Sequence, residues 1–132
     1  MVKKNYLKKS PKVSWLGFGA WPLGNTAHRK TMTEKEGIEL VKAAYKMGIN
    51  FFDTAPNYSR GMSENILGKA LKDVRKNVVI NSKFGHHING EINFNETNLR
   101  VSVLCSLKWL QTDYLDYVIL HNPSIDILEG KT

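Results

Sequence analysis

Short apolar strands alternate with amphipathic helices along this chain, and the regular spacing of the strands is the strongest constraint on its fold. The four predicted strands begin near residues 16, 49, 78 and 115. Their average separation of about 33 residues is the length of one strand–helix unit of a parallel α/β protein. The spacing therefore predicts about four parallel strands connected by three helices.

Local signals mark where the helices begin and end. Thr33-Glu34-Lys35-Glu36 forms a capping box for the first helix, and Gly48 suits the end of that helix. Ser63 is the expected N-cap of a shorter second helix. The apolar periodicity predicts a third helix from about Glu96 to Leu110.

The predicted sheet is buried on both faces and is preceded by a hairpin. Val78-Val79-Ile80 and Val118-Ile119-Leu120 are apolar at every position, as expected for parallel strands covered by helices on both sides. Residues 2–15 are basic and interrupted by Ser10-Pro11, which predicts a short hairpin outside the main sheet.

Two α/β architectures fit this alternation: a (β/α)8 barrel and an open doubly wound sheet. A complete barrel needs about 250 residues, roughly twice the length of this chain. Gly17-Phe18-Gly19-Ala20 lies inside the first strand and lacks the third glycine of the phosphate-binding fingerprint of a doubly wound fold. These observations favour part of a (β/α)8 TIM barrel over an open doubly wound sheet, with one partial domain over residues 1–132; the family resemblance described below implies that this part is the N-terminal half of the TIM barrel.

The composition excludes several classes of protein. No apolar run reaches the roughly 18 residues of a membrane span, and no signal-peptide core follows the basic start, so we expect a cytoplasmic protein with no membrane partner. The single cysteine, Cys105, excludes an internal disulfide framework. The net charge of +7 suits an anionic ligand such as a phosphate-bearing cofactor. No zinc-finger spacing or basic helix supports binding to nucleic acid.

Four polar residues lie at the C-terminal ends of predicted strands or just beyond them: Asp53, Tyr58, Lys83 and His121. In parallel α/β folds all these strand ends open onto one face, where the chemistry takes place. Each residue alone could be a turn former, a packing residue or a surface charge. A phenol, an ammonium that stabilises its phenolate, a carboxylate that holds the ammonium and an imidazole together form a proton-transfer site.

The order and spacing of several motifs resemble one family, the aldo-keto reductases. These motifs span about residues 13–124 and include the four polar residues. They are Gly17-Phe18-Gly19-Ala20-Trp21-Pro22-Leu23-Gly24, Asp53-Thr54-Ala55-Pro56-Asn57-Tyr58, Gly61-Met62-Ser63-Glu64, Leu67-Gly68-Lys69-Ala70-Leu71, Ser82-Lys83-Phe84-Gly85 and Leu120-His121-Asn122-Pro123.

The resemblance implies an NAD(P)H-dependent carbonyl reductase that acts on small aldehydes or ketones. In such an enzyme Tyr58 is the general acid/base, and Lys83 favours its phenolate. Asp53 orients Lys83, and His121 positions the substrate carbonyl. The resemblance also implies that Glu64 supports its loop or helix and takes no part in catalysis.

The same resemblance implies an NADP(H) site that borders the first strand. Ala20 and Trp21 would lie beside the nicotinamide, and Asp53 would lie close to its ribose. No metal site is expected, and His86 and His87 are interpreted as loop residues that could border the site. In the family, later strands supply the groups that hold most of the cofactor, and we expect the 132 residues alone to have weak activity or none.

A half barrel would leave two open edges and an apolar inner face. We therefore expect self-association or pairing with a complementary half. One alternative is a truncated, non-catalytic reductase that serves as an assembly or interaction module. Another, favoured by the charge alone, is an open-sheet binder of nucleotides or nucleic acid.

Overall fold

The structure is a computed structural model that describes residues 3–4, 12–24 and 32–131. Within these ranges the strands are β1 (Lys3–Lys4), β2 (Val13–Ser14), β3 (Phe18–Gly19), β4 (Phe51–Asp53), β5 (Val79–Phe84) and β6 (Tyr117–Leu120). The α-helices are α1 (Glu34–Lys46), α2 (Met62–Leu71), α3 (Glu96–Leu110) and α4 (Ile125–Leu128). Two short 3-10 helices cover Tyr58–Gly61 and Lys72–Asn77.

Four parallel strands form one sheet in the order β3-β4-β5-β6. Neighbours in the sheet are also neighbours along the chain, so the described strands contain no point where the order reverses. A doubly wound sheet needs such a reversal. The predicted barrel-type arrangement is therefore confirmed, and the open doubly wound alternative is wrong.

The first helix begins and ends as its sequence predicts. Thr33 accepts the amide of Glu36, and the Glu36 carboxylate accepts the backbone amide of Thr33, which completes the capping box. At the other end Gly48 has a φ of +94° and donates to the carbonyl of Tyr45. Because this left-handed residue reverses the direction of the chain, the chain can continue from Ile49 into β4.

The start of α2 differs from the prediction. Gly61, with a φ of +85°, is the residue that precedes the helix, and Ser63 lies inside its first turn. Ser63 is fully buried, and its hydroxyl donates to the carbonyl of Ala20 at 2.8 Å. Ser63 therefore ties the helix to the first strand of the sheet and does not cap α2.

Apolar side chains fill the space between the sheet and the helices. Phe52 at the centre of β4 is fully buried, and Val78 and Ile80 extend this core along the next strand. The other core residues are Ala20, Leu23, Val41, Ala44, Ile49, Ile66, Leu67, Ala70, Leu71 and Leu110. Burying these side chains stabilises the fold by about 25 cal/mol for each Å² of apolar surface removed from water.

The N-terminal ends of the strands are closed by polar contacts. The Arg75 guanidinium donates to Asp116 Oδ2 at 2.8 Å and to the carbonyls of Val78 and Tyr114. The same Asp116 oxygen accepts the amide of Ile80 at 2.9 Å. This buried ion pair therefore joins the segment after α2 to the strands on either side of α3.

The predicted hairpin is present as antiparallel pairing between β1 and β2. Residues 5–11, which include Ser10-Pro11, lie outside the described ranges. Ser14 in β2 exchanges two hydrogen bonds with Asn50, through its amide and its hydroxyl. The hairpin is therefore fixed against the start of β4.

The last strand is more exposed than its sequence predicts. Val118 and Ile119 retain 37% and 44% of their accessible surface, whereas Val78, Val79 and Ile80 are buried as expected. The difference arises because β6 pairs with β5 on one side and with no described strand on the other. None of the described helices is long and apolar enough to cross a membrane.

Candidate active site

Asp53 and Lys83 form an ion pair at the C-terminal end of the sheet. The parallel register places Asp53 opposite Asn81, and Lys83 follows two residues later on the same face of β5. The Lys83 ammonium donates to Asp53 Oδ1 at 2.6 Å and to the carbonyl of Thr54 at 2.8 Å. Because two acceptors hold the ammonium, its position is well defined.

Asn81 belongs to the same constellation, although it is not among the site residues predicted from the sequence. Its side-chain amide donates to Asp53 Oδ2 at 2.6 Å, so each oxygen of this carboxylate has its own donor. The Asn81 Oδ1 atom is buried and has no hydrogen-bond partner. The available signal was its spacing, because a residue two positions before Lys83 must share its face of the strand.

Tyr58 and His121 meet beside this ion pair. The two rings pack edge to face, with their centroids 5.5 Å apart and an interplanar angle of 84°. The Lys83 ammonium lies 4.8 Å from the centroid of the Tyr58 ring. The structure therefore brings together all four residues that were predicted to form the site.

A strained backbone segment places Tyr58 at this position. Ser59 and Arg60 have φ values of 48° and 54°, and Gly61 follows at 85°. The left-handed conformation costs roughly 1–2 kcal/mol for a residue with a Cβ atom. Gly61 cannot carry a side chain here because an added Cβ would meet the Trp109 ring at 2.8 Å.

His121 is buried at the end of β6, and its amide donates to the carbonyl of Phe84 at 2.9 Å. Burial lowers the pKa of His121 from 6.5 to about 4, and the charges of His86 and Lys83 act in the same direction. The Asp53 carboxylate opposes this shift. The imidazole is therefore neutral at neutral pH and can donate one hydrogen bond.

The two adjacent histidines lie in different surroundings. The His86 ring packs against His121, with the centroids 4.7 Å apart. His87 instead lines a separate cleft that also includes Arg60 and Trp109. Of the two, His86 is the one whose ring contacts His121. Within the described ranges, no group of three His, Cys, Asp or Glu side chains is placed to hold a metal ion.

The expected cofactor-contact residues lie at the same end of the sheet. The amide of Ala20 donates to the carbonyl of Asp53 at 2.8 Å, and Ala20 is fully buried. Trp21 follows with half of its surface exposed. Ser63 bridges this segment to Thr54, because its hydroxyl lies 3.0 Å from that of Thr54 and donates to Ala20. The first strand is thus firmly attached beside the Asp53–Lys83 pair.

Glu64 lies on the other side of β5 from the site. Its carboxylate accepts the Ser82 hydroxyl at 2.6 Å, and Ser82 points away from Lys83 because neighbouring strand residues alternate. Burial raises the pKa of Glu64 from 4.5 to about 7, against the hydrogen bond from Ser82, the nearby Ser106 hydroxyl and the charge of Lys83. This location fits a supporting role between helix and sheet.

Comparison with known proteins gives consistent matches over most of the chain. The sequence model of the aldo/keto reductase family matches residues 15–127. L-galactose dehydrogenase of Arabidopsis thaliana is 39% identical over 127 residues, which cover 92% of this chain and 39% of the plant protein.

Solved structures agree with this relationship. The proposed aldo-keto reductase PA4992 of Pseudomonas aeruginosa gives a TM-score of 0.82 at 33% identity, covering 98% of this chain and 51% of PA4992. An aldo-keto reductase from Klebsiella pneumoniae in complex with NADP and acetate gives a TM-score of 0.71 at 28% identity, covering 93% of this chain and 43% of that protein.

The chain therefore spans between about two fifths and one half of the length of these relatives. Its parallel sheet matches the corresponding part of their (β/α)8 barrels. The family consists of oxidoreductases that act on carbonyl substrates. The match over residues 15–127, together with the identity to L-galactose dehydrogenase, shows that this chain belongs to the aldo/keto reductase family.

Proposed function

We propose that this chain supplies the proton-transfer part of an NAD(P)H-dependent reductase of aldehydes and ketones. The observation that carries the proposal is the position of the Lys83 ammonium, 2.6 Å from Asp53 and 4.8 Å from the Tyr58 ring centroid. Reduction of a carbonyl to an alcohol consumes one hydride and one proton. The four clustered side chains transfer the proton.

Tyr58 is the proposed proton donor to the developing alkoxide oxygen. Loss of this proton leaves a phenolate, which the Lys83 ammonium stabilises by its charge. Asp53 holds that ammonium in place, and Asn81 holds Asp53 through the second carboxylate oxygen. In a partly buried site such prearranged charges act more strongly than they would in water.

His121 is the proposed hydrogen-bond donor to the substrate carbonyl. Its buried ring is neutral at neutral pH, so the imidazole polarises the carbonyl without bringing a competing charge next to Lys83. Its Nδ1 atom is buried and has no hydrogen-bond partner. The Nε2 atom is thus the proposed donor.

The described residues fit one edge of a nicotinamide cofactor, which would supply the hydride that no side chain can donate. A Cβ added to Gly19 would have no atom within 4 Å, so the surface next to Asp53 is open. Trp21 offers a half-exposed aromatic side chain on this edge. Trp21 and Asp53 are the proposed contacts, whereas Ala20, also expected from the sequence to contact the cofactor, is fully buried and offers no surface to it. The NADP complex of the Klebsiella relative supports this choice of cofactor.

The proposal is tested by the oxidation of NADPH with 4-nitrobenzaldehyde as the substrate. The chain is assayed alone and after fusion to the C-terminal half of a related reductase. We expect little turnover alone and clear turnover in the fusion, falling about 10²–10⁴-fold in Tyr58→Phe. Turnover in the fusion that is unchanged by Tyr58→Phe would contradict the assigned role. Clear Tyr58-dependent turnover by the chain alone would contradict the need for a second half.

We further propose that a complementary half barrel covers the free edge of β6. Within the described ranges no strand pairs with this edge, and Val118 and Ile119 expose apolar surface beside it. The matched structures support the proposal, because their chains are about twice as long and this sheet corresponds to part of their barrels. A non-catalytic assembly module is not favoured, because the four clustered side chains are those that proton transfer requires.

A further inference from the structure

His86 covers one side of the His121 ring. The two imidazoles lie 4.7 Å apart with an interplanar angle of 43°, while Tyr58 covers His121 from another direction at 5.5 Å. His121 is thus enclosed by two aromatic rings at the point where β6 ends. Neither ring donates a hydrogen bond to its buried Nδ1 atom.

The backbone after β5 is shaped to place His86 there. Gly85 has a φ of +110°, and any Cβ atom at this position would collide with the ring of Phe94. Phe94 in turn packs edge to face with Phe84 at 6.0 Å and with His86 at 6.4 Å. A β-bridge between His86 and Ile92 closes the loop. The position of His86 is therefore fixed by packing on both of its sides.

Three titratable groups shift the pKa of His121, and they do not act equally. Asp53 favours the charged imidazolium, whereas Tyr58 contributes only a ring contact. Burial disfavours the imidazolium most strongly, followed by the charge of His86 and then that of Lys83. His86 contributes both to the burial and to the charge repulsion. Its ring excludes water from one face of His121, and its charge opposes a second charge nearby.

We propose that His86 is a positioning residue of this site, whose imidazole packs against the His121 ring and shields it from water, so that His121 meets a substrate carbonyl as an uncharged hydrogen-bond donor. This role extends the proposed function, and its effect on catalysis rests on that function. The physical effect on His121 exists whether or not the chain turns over a substrate.

The test is an NMR titration of the histidine ring protons in the intact chain, which needs neither cofactor nor turnover. His121→Gln assigns the His121 signal by removing it. We expect the midpoint of His121 to rise by at least about 0.5 pH unit in His86→Phe, which keeps a ring but removes the charge. In His86→Ala we expect a larger rise, because water also reaches the ring.

The adjacent residue provides a matched control, because His87 lines the cleft beside Trp109 and has no ring contact with His121. His87→Phe should leave the His121 midpoint unchanged. His86→Asn replaces either variant if one of them fails to give a folded spectrum. Equal midpoints of His121 in the parent and in the His86 variants would overturn the proposal.

A catalytic readout separates this proposal from the proposed function. In the fused barrel, we expect the acidic limb of the pH profile to move upward in His86→Phe by the same amount as the NMR midpoint. A shifted midpoint with no Tyr58-dependent turnover would refute the function and leave the effect of His86 intact. An unshifted midpoint with normal turnover would refute only the role of His86.

Discussion

The Ser82 hydroxyl donates a 2.6 Å hydrogen bond to the fully buried carboxyl of Glu64, on the face of β5 opposite Lys83. The second oxygen of Glu64 has no partner. Since one serine hydroxyl cannot fully replace the water lost by a carboxylate, the protonated form of Glu64 is favoured in the folded state.

This burial predicts a stability that falls as the pH rises. The folded-state pKa of about 7 lies above the unfolded value of 4.5, so the folded state binds more protons between these values. The free energy of unfolding should therefore fall from about pH 4.5 to above pH 7, by an amount on the order of 3 kcal/mol.

Glu64→Gln should remove most of this pH dependence, since glutamine keeps the shape and cannot ionise. Urea unfolding at pH 5 and at pH 8 measures the effect. Exposed Glu91→Gln serves as the control, because Glu91 lies on the surface of a loop. If the free energy of unfolding changed equally with pH in the parent and in Glu64→Gln, the Glu64 carboxyl would not be the group that controls this pH dependence.

Glycine substitution should relieve the strain next to Tyr58. Ser59 has a φ of 48°, a conformation that glycine adopts without steric cost, so Ser59→Gly should stabilise the chain by about 0.5–1 kcal/mol. Gly61→Ala should destabilise it, because the added Cβ would meet the Trp109 ring. Chemical unfolding compares the two variants, and a loss of stability in Ser59→Gly would argue against backbone strain at this position.

Breaking the buried ion pair between Arg75 and Asp116, at the N-terminal end of the sheet, should destabilise the chain far more than breaking an exposed ion pair of the same length. Arg75→Met leaves Asp116 without its cation in a site where both side chains are about 90% buried, and should cost about 3–5 kcal/mol. Arg100→Met breaks a pair of the same 2.8 Å length whose side chains are about 75% exposed, and should cost under about 1 kcal/mol. Comparable losses in the two variants would contradict this ranking.

The exposed edge of β6 should determine the assembly state of the isolated chain. We expect light scattering to give a mass above the 15.0 kDa monomer, because a second copy covers Val118 and Ile119 when no complementary half is present. Replacing both residues with lysine should favour the monomer. Met47→Lys, at an exposed position after α1, should have no effect. A parent chain that is monomeric at all concentrations would contradict the proposal.

Local signals in the sequence predicted the framework well, because they depend on short-range chemistry. The capping box at Thr33 and the bounds of α3 required only neighbouring residues. The meeting of Asp53 with Lys83 followed from a topological rule, since parallel strands bring their C-terminal ends to one face. The roles of these residues are implied by the family resemblance and stay predictions.

The failures of prediction all involve contacts between distant segments. Ser63 has the residue type of an N-cap, yet its hydroxyl donates to Ala20, 43 residues away. The position of Asn81 beside Asp53 depends on the register of two strands, which the sequence does not display. The exposure of Val118 depends on which strand lies beyond β6, and an apolar run cannot reveal its neighbour.

The sequential order β3-β4-β5-β6 has a consequence for how this protein is made. Each new strand docks against the strand that left the ribosome just before it, so the sheet can grow in the direction of synthesis. On this view the Asp53–Lys83 pair forms once β5 has emerged, and the arrival of His121 completes the constellation while the nascent chain is still growing.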